Sequence, residues 1–185
     1  NALLNVPRHY FLSSAFLEFA YQNKAFQIGA GQTISHPFTV AFQTQLLDIS
    51  KGDKILEIGS GSGFQTCILC EMGAKVFSIE RHKSLHLKAK QIVHHLNYTA
   101  RMSFGDGYKG LPAFAPFDKV IITCGAPNIP QDLIDQLKTG GVMIIPIGEG
   151  KEQHMLRITK ISDTEIVKEE FGVFSFVPML ESKVK

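Results

Sequence analysis

The chain has 185 residues, 44% of them hydrophobic and 19% charged, with a formal net charge of +2. That balance describes a globular chain long enough to bury a core and excludes a disordered one. With no Lys/Arg run, no basic stripe and no apolar run near the roughly 18 residues of a membrane span, neither nucleic acid nor membrane is an expected partner.

In chain order, Pro7 argues against a helix running through the first ten residues. Ser13 and Ser14 can cap a short helix in which Phe16, Leu17, Ala20 and Tyr21 recur at helical spacing. Residues 27–35 read as a loop carrying Gly29 and Gly31. Pro37 suits the first turn of a helix running to about Asp48, with Val40, Ala41, Thr44 and Leu47 inward. A turn at 50–53 leads to Lys54, Ile55, Leu56, Glu57 and Ile58, the composition of a strand buried on both faces of a parallel sheet. Three glycines follow at alternate positions, and Phe64 begins a helix. A second strand, 75–79, ends at Glu80, and residues 84–96 read as a helix with Leu85, Ala89, Ile92, Val93 and Leu96 on one face. Strands at 100–104 and 119–123 flank a loop with Pro112 and Pro116. A helix from Pro130 to about Leu137, a fifth strand at 142–147 and an antiparallel hairpin at 155–161 and 165–174 complete the pattern. Alternating strand and helix with a terminal hairpin predicts one doubly wound, mostly parallel Rossmann-like α/β domain spanning residues 1–185.

Gly59, Ser60, Gly61, Ser62 and Gly63 make a turn in which backbone amides can come close to a ligand, next to the unpaired N–H groups of a helix N-terminus. Glu80 lies 21 residues beyond Gly59, the distance at which a carboxylate after the second strand can accept from both hydroxyls of a ribose. Loop and acid together indicate a nucleoside cofactor. Dinucleotide sites use G-x-G-x-x-G, whereas the pattern here is G-x-G-x-G preceded by Glu57, a form that resembles the first motif of S-adenosylmethionine-dependent methyltransferases. Ligands of such sheets sit beyond the carboxyl ends of the strands, where Asp106, Gly107 and Thr123 also fall. The Asp106 carboxylate could accept from an adenine amino group; the alternative is a solvated aspartate making a turn.

Further blocks carry a more specific resemblance. Val6-Pro7-Arg8-His9, then Gly31-Gln32-Thr33-Ile34-Ser35 with Pro37, then Gly105-Asp106-Gly107, Ala115-Pro116-Phe117-Asp118 and Gly125-Ala126-Pro127 follow one another. Gln136-Leu137-Lys138 before Gly140-Gly141, and Phe176-Val177-Pro178, complete the series. In that order, across nearly the whole chain, they resemble the protein-L-isoaspartate O-methyltransferases, the G-Q-T-I-S block being the most discriminating. The family has a further helix ahead of the V-P-R-H segment that this sequence lacks, a tyrosine more often than Phe64, and alanine or valine where Cys124 stands. The resemblance implies methyl transfer from S-adenosyl-L-methionine, leaving S-adenosyl-L-homocysteine, to the free carboxyl of L-isoaspartyl residues in damaged proteins and peptides. The ester would cyclise to a succinimide, initiating repair. Thr33 and Ile34 would close the pocket over a donor held by the glycine turn, Glu80, Asp106, Gly107 and Thr123. Ser35 would orient the substrate carboxylate, and Phe176, Val177 and Pro178 would border the peptide channel.

Elementary chemistry agrees. A carboxylate nucleophile with a pKa near 4 is already ionised and needs no general base, and no Ser/His/Asp or Cys/His arrangement surrounds the site. Read alone, Ser35 is a cap for the helix at Pro37. Cys67 and Cys70 are spaced C-x-x-C but fall inside a helix and read as small apolar packing residues. With Cys124 they are too few for a disulfide framework, which points to a reducing, cytoplasmic setting. His82, His86, His94 and His95 lack a completing ligand for a metal and read as a solvated helix face. His9 and His36 read as pocket walls, and Arg8 and Lys24 as surface charges. No metal is expected, and the chain is expected to act as a monomer. A methyltransferase of another acceptor (a small molecule or RNA), a non-catalytic cofactor-binding module and a nicotinamide oxidoreductase remain as alternatives.

Overall fold

The computed structural model describes residues 1–184. A short helix α1 (Ala2–Asn5) and two 3₁₀ turns precede a small hairpin, β1 (Phe26–Gly29) and β2 (Gln32–Ile34). The body follows as α2 (Pro37–Leu47), β3 (Lys54–Ile58), α3 (Phe64–Glu71), β4 (Lys75–Glu80), α4 (Lys83–His95), β5 (Arg101–Phe104), β6 (Phe117–Ile122), α5 (Gln131–Asp135), β7 (Leu137–Ile147), β8 (Gln153–Lys160) and β9 (Ile166–Phe174). Seven strands form one sheet in the order β5-β4-β3-β6-β7-β8-β9. The five from β3 to β7 pair in parallel, and β8 and β9 add antiparallel to the β7 edge. This is the doubly wound sheet with a terminal hairpin that the strand pattern predicts.

The strands read as continuous apolar runs because both faces are covered. On one face Ile55, Ile121, Ile144 and Met155 pack with Leu47 of α2 and Leu69 of α3. On the other, Leu56, Ile58, Val120, Ile122 and Met143 pack with Leu133 and Ile134 of α5. Strand order reverses between β3 and β6, so the chain leaves their carboxyl ends in opposite directions and opens a crevice there. After β9 the chain returns across that crevice. The amide of Gly125 donates to Val177 O (2.8 Å) and that of Met179 to Gly125 O (2.7 Å), while Lys83 and Val184 pair near the start of α4.

Three local expectations change. Residues 27–35 are a hairpin, not a loop, with Gln27 opposite Thr33. Its tip, Ala30 and Gly31, has φ of +53° and +68°, the double left-handed geometry of a type I′ turn. Residues 14–19 form a 3₁₀ helix in which Ser13 makes no cap bond. Its threefold period scatters the expected stripe, burying Ala20 but leaving Tyr21 67% exposed. β7 begins at Leu137, ahead of Gly140-Gly141, by way of an irregularity in its pairing with β6.

Glu57 sits in the middle of β3 with no exposed surface. One carboxyl oxygen accepts from Thr66 Oγ1 of α3, and the other has no partner. Burial raises its pKa from the ordinary 4.5 to about 7, against the nearby hydroxyls of Ser78 and Thr66 and assisted by the charge of Glu80. The folded chain therefore binds more protons than the unfolded one between those values, so stability falls as pH rises from about 4.5 to about 7 and is flat above. Glu57→Gln should remove that slope. In urea titrations, the stability lost between pH 5 and pH 8 should shrink by up to about 3 kcal/mol; an unchanged loss would show that Glu57 is not its source.

Candidate active site

The glycine turn after β3 is shaped by what lies against it. At Gly59, φ is +92° and a Cβ would meet Thr123 Oγ1 at 2.8 Å, so only glycine lets the turn rest on the end of β6. Thr123 fixes that contact, its hydroxyl lying 3.0 Å from Ile58 O and 2.7 Å from Gly59 O as donor. At Gly63, φ is +89° and a Cβ would press on Val93 and Ala89 of α4 at 3.1 and 3.3 Å. The amides of Gly59 and Ser60 donate to Ile79 O, that of Gly61 to Glu80 Oε2 (2.9 Å) and that of Gly63 to Ser60 O. These four amides are committed inside the protein, so the turn acts through its shape rather than as the open row of donors its sequence suggests.

Glu80 is 4% exposed, and its second oxygen accepts from the amide of His82 at 2.8 Å. Each carboxylate oxygen retains acceptor capacity toward the crevice. The crevice has two lobes that share Gln32, Gly59, Glu80 and Cys124. The first, here the polar lobe, has Thr33, Gln43, Ser60, Ser62 and Gln65 in its walls beside Ile34, Val40 and Phe64. The second, here the apolar lobe, lies between Ile58, Ile79, Pro178, Met179 and Leu180, with Arg81 and His82 also in its walls. A third, small chamber opens off the polar lobe, sharing Thr33, Ser35, Thr123 and Val177 with it and adding His36, Thr39 and Phe176.

Ser35 thus stands where the polar lobe meets the side chamber. It does not cap α2: the N-cap position is His36, and the amide of Phe38 takes Asn23 Oδ1 at 3.0 Å. The Ser35 hydroxyl has no hydrogen-bond partner among the described residues, and its carbonyl accepts from Arg8.

Comparison with known proteins adds a family to this geometry. The family model described as protein-L-isoaspartate(D-aspartate) O-methyltransferase matches residues 1–184. The chain belongs to the protein-L-isoaspartate O-methyltransferase family. A relative of that name in Christiangramia forsetii is 55% identical over 183 residues, 98% of this chain and 85% of its own. One in Dictyoglomus thermophilum is 43% identical, over 97% and 81% of the two chains. Among solved structures, a beta-aspartate methyltransferase from Plasmodium falciparum in complex with S-adenosyl-L-homocysteine superposes with a TM-score of 0.85 at 26% identity. That match covers 97% of this chain and 88% of the other.

Other residues singled out in this isoaspartate methyltransferase family member fall in different places. Gly107 lines the apolar lobe, but Asp106 does not line the crevice. The Asp106 carboxylate accepts from the amides of Tyr108 (3.0 Å) and Ser182 (2.9 Å). Ile34 is buried under the hairpin and also lines the polar lobe beside Thr33 and Ser35. Phe176 and Val177 border the side chamber, while Pro178 faces the apolar lobe. His36 is a chamber wall, but His9 pairs with Tyr21 away from it. His86 is buried rather than solvated, and its pKa is lowered by burial first and Lys90 second. Burial holds the Cys67 thiol protonated and pushes Cys70 and Cys124 up to about 12, which suits packing and not redox chemistry. Gln32, Gln43 and Gln65 were not anticipated. The available signal was a polar residue on the buried stripe of a helix: Gln43 beside Val40 and Leu47, its amide donating to Ile122 O at 3.0 Å, and Gln65 bonding Thr44.

Arg8 is the largest correction. It is 2% exposed, not a surface charge, and burial lowers its pKa to about 10. Its Nε donates to Ala20 O (3.0 Å), and one terminal nitrogen donates to both Lys24 O (3.1 Å) and Ser35 O (2.8 Å). The guanidinium carbon stands 5.0 Å from the centre of the Phe64 ring. One cation therefore ties the amino-terminal segment to the residue at the crevice junction. Arg8→Met should cost about 3 kcal/mol or more of stability in urea unfolding, since charged-group hydrogen bonds are worth roughly 1.5–3 kcal/mol each. Arg8→Lys should recover little of it, because an ammonium lacks the planar fork. Full stability in Arg8→Lys would argue against the three-carbonyl clamp.

Proposed function

We propose that this chain methylates the free carboxyl of L-isoaspartyl residues in damaged proteins and peptides, with S-adenosyl-L-methionine as donor, and so initiates their repair through a succinimide. The observation that carries this reading is the junction at Ser35, where a two-lobed crevice with a carboxylate at its waist meets a separate chamber.

The donor fits the crevice by chemical type. Glu80, at the waist, presents acceptors for ribose hydroxyls; the apolar lobe beside Ile79 and Met179 suits an adenine; the polar lobe suits the amino-acid end. The Gln65 Oε1 in that polar wall has no partner. S-adenosyl-L-methionine, when bound, supplies a methyl group on a cationic sulfur and departs as S-adenosyl-L-homocysteine. The chain itself has little bond-making to assist, because the acceptor carboxylate is ionised at neutral pH. Ser35 orients that carboxylate with its free hydroxyl, Thr33 and Val177 narrow the passage between lobe and chamber, and Phe176 walls the peptide side. Thr123 commits its proton to the carbonyls of Ile58 and Gly59 and serves as wall.

On the same reading residues 1–185 act as one domain and as a monomer in the cytoplasm, on isoaspartyl proteins and without a nucleic-acid or membrane partner. Three free cysteines support a reducing compartment, and among the described residues no helix is long and apolar enough to cross a membrane. Sedimentation at micromolar concentration should return the mass of one chain; a dimer would overturn the monomer.

Glu80→Ala should weaken S-adenosyl-L-methionine binding roughly 10- to 100-fold by calorimetry, since it removes a charged acceptor worth about 1.5–3 kcal/mol. Unchanged affinity would remove Glu80 from the donor site. With labelled donor, a peptide containing L-isoaspartate should be methylated and the same peptide with normal aspartate ignored. The isomers differ by one backbone methylene, and a misplacement of about 1 Å can cost on the order of a hundredfold in rate. Ser35→Ala should lower turnover while leaving donor affinity nearly intact. Equal labelling of both isomers would sink the isoaspartate assignment in favour of general carboxyl methylation.

A further inference from the structure

Four phenylalanines make a ladder from the side chamber to the protein surface. Phe176 lines the chamber, and its ring lies 6.5 Å from that of Phe174. Phe174 lies 5.3 Å from Phe42 and 6.4 Å from Phe38, at interplanar angles of 27° and 11°. Phe38 and Phe42 are 5.7 Å apart at 22°. Phe42, Phe174 and Phe176 rest on the core beneath α2 and β8, whereas Phe38 is 55% exposed.

A single exposed phenylalanine is ordinary on a protein surface. This one differs in three ways. Its ring is nearly parallel to two others, so its outer face extends a flat aromatic surface rather than a lone edge. Its backbone is held, at the first turn of α2 behind Pro37, by the bond from its amide to Asn23. It is continuous with the chamber through both chain and space, since Ser35 and His36 precede it and Phe176 joins it by way of Phe174. A rigid aromatic face beside a peptide-binding chamber is suited to stack a flat side chain.

We propose that Phe38, backed by Phe42 and Phe174, is a specificity platform that takes an aromatic side chain of the substrate peptide close to the isoaspartate. The inference rests on the chamber being the acceptor site. The steps from Phe176 to Phe174 and on to Phe38, 6.5 and 6.4 Å, span at most roughly four residues of extended chain. The favoured side chain therefore lies within that distance of the modified residue, on one side of it.

The test is a set of isoaspartyl peptides on a Gly/Ser background, each with one tyrosine at one of the four positions on either side. Wild-type protein should show kcat/KM raised roughly fivefold by tyrosine at one of these positions over the tyrosine-free peptide, the size expected of one stacked aromatic pair. Phe38→Ser should erase that gain while leaving kcat/KM for the tyrosine-free peptide within about twofold, and Phe38→Trp should keep the gain. If tyrosine helps nowhere, or helps equally in Phe38→Ser, the platform is wrong while methylation of the tyrosine-free peptide still upholds the chamber. Methylation of no isoaspartyl peptide would overturn the chamber and the platform together. A concentration-dependent dimer that Phe38→Ser dissolves, with no tyrosine preference, would give the surface to a second copy of the chain and overturn the proposal.

Discussion

The Glu80 carboxylate accepts from the amides of Gly61 and His82, and through those two bonds it joins the glycine turn after β3 to the start of α4. A carboxylate this deeply buried must be hydrogen-bonded, and both of its partners are backbone groups whose positions are set by the sheet. The orientation of the acid therefore follows from the parallel pairing of β3 with β4. Loss of the side chain would leave the Gly61 and His82 amides without their acceptor and slacken the turn itself. The two lobes of the crevice meet at this group, so the shape of the site depends on it as well.

A second layer of order comes from the amino-terminal segment, and it works by a different principle. Arg8 bonds three carbonyls from three stretches of chain, none of which belongs to the sheet. Hydrogen bonds to a buried cation substitute for the regular ladders that irregular segments lack. The outcome is a hairpin and a Ser35 backbone held by one side chain rather than by a strand. Asn23 does similar work at α2, satisfying an amide that a local residue would normally cap.

How much of this was legible follows from how local each cause is. The apolar runs of β3, β4 and β6 and the alternation with helices declare the sheet, because strands buried on both faces have no freedom to be polar. Gly59 and Glu80 fall at strand ends, so position in the chain and position at the crevice coincide. The β1–β2 hairpin was not legible: its strands are four and three residues long, of mixed polarity, and its turn depends on Ala30 adopting a left-handed conformation alanine seldom takes. The burial of Arg8 was hidden because its acceptors lie 12, 16 and 27 residues away. Asp106 misled for the opposite reason. Its place at a strand end matched the site pattern, but its carboxylate turns to the amides of Tyr108 and the distant Ser182, and it does not line the two lobes.

The return of the chain after β9 carries a consequence for how the molecule comes into being. Val177 closes the passage, and Pro178, Met179 and Leu180 form one wall of the apolar lobe, yet they follow every strand of the sheet in the chain. A ribosome delivers the glycine turn and Glu80 long before it delivers these. The crevice therefore has no second wall until the segment after β9 has been made and has bridged to Gly125. A nascent or prematurely terminated chain holds the donor half of the machinery without the enclosure that gives it use.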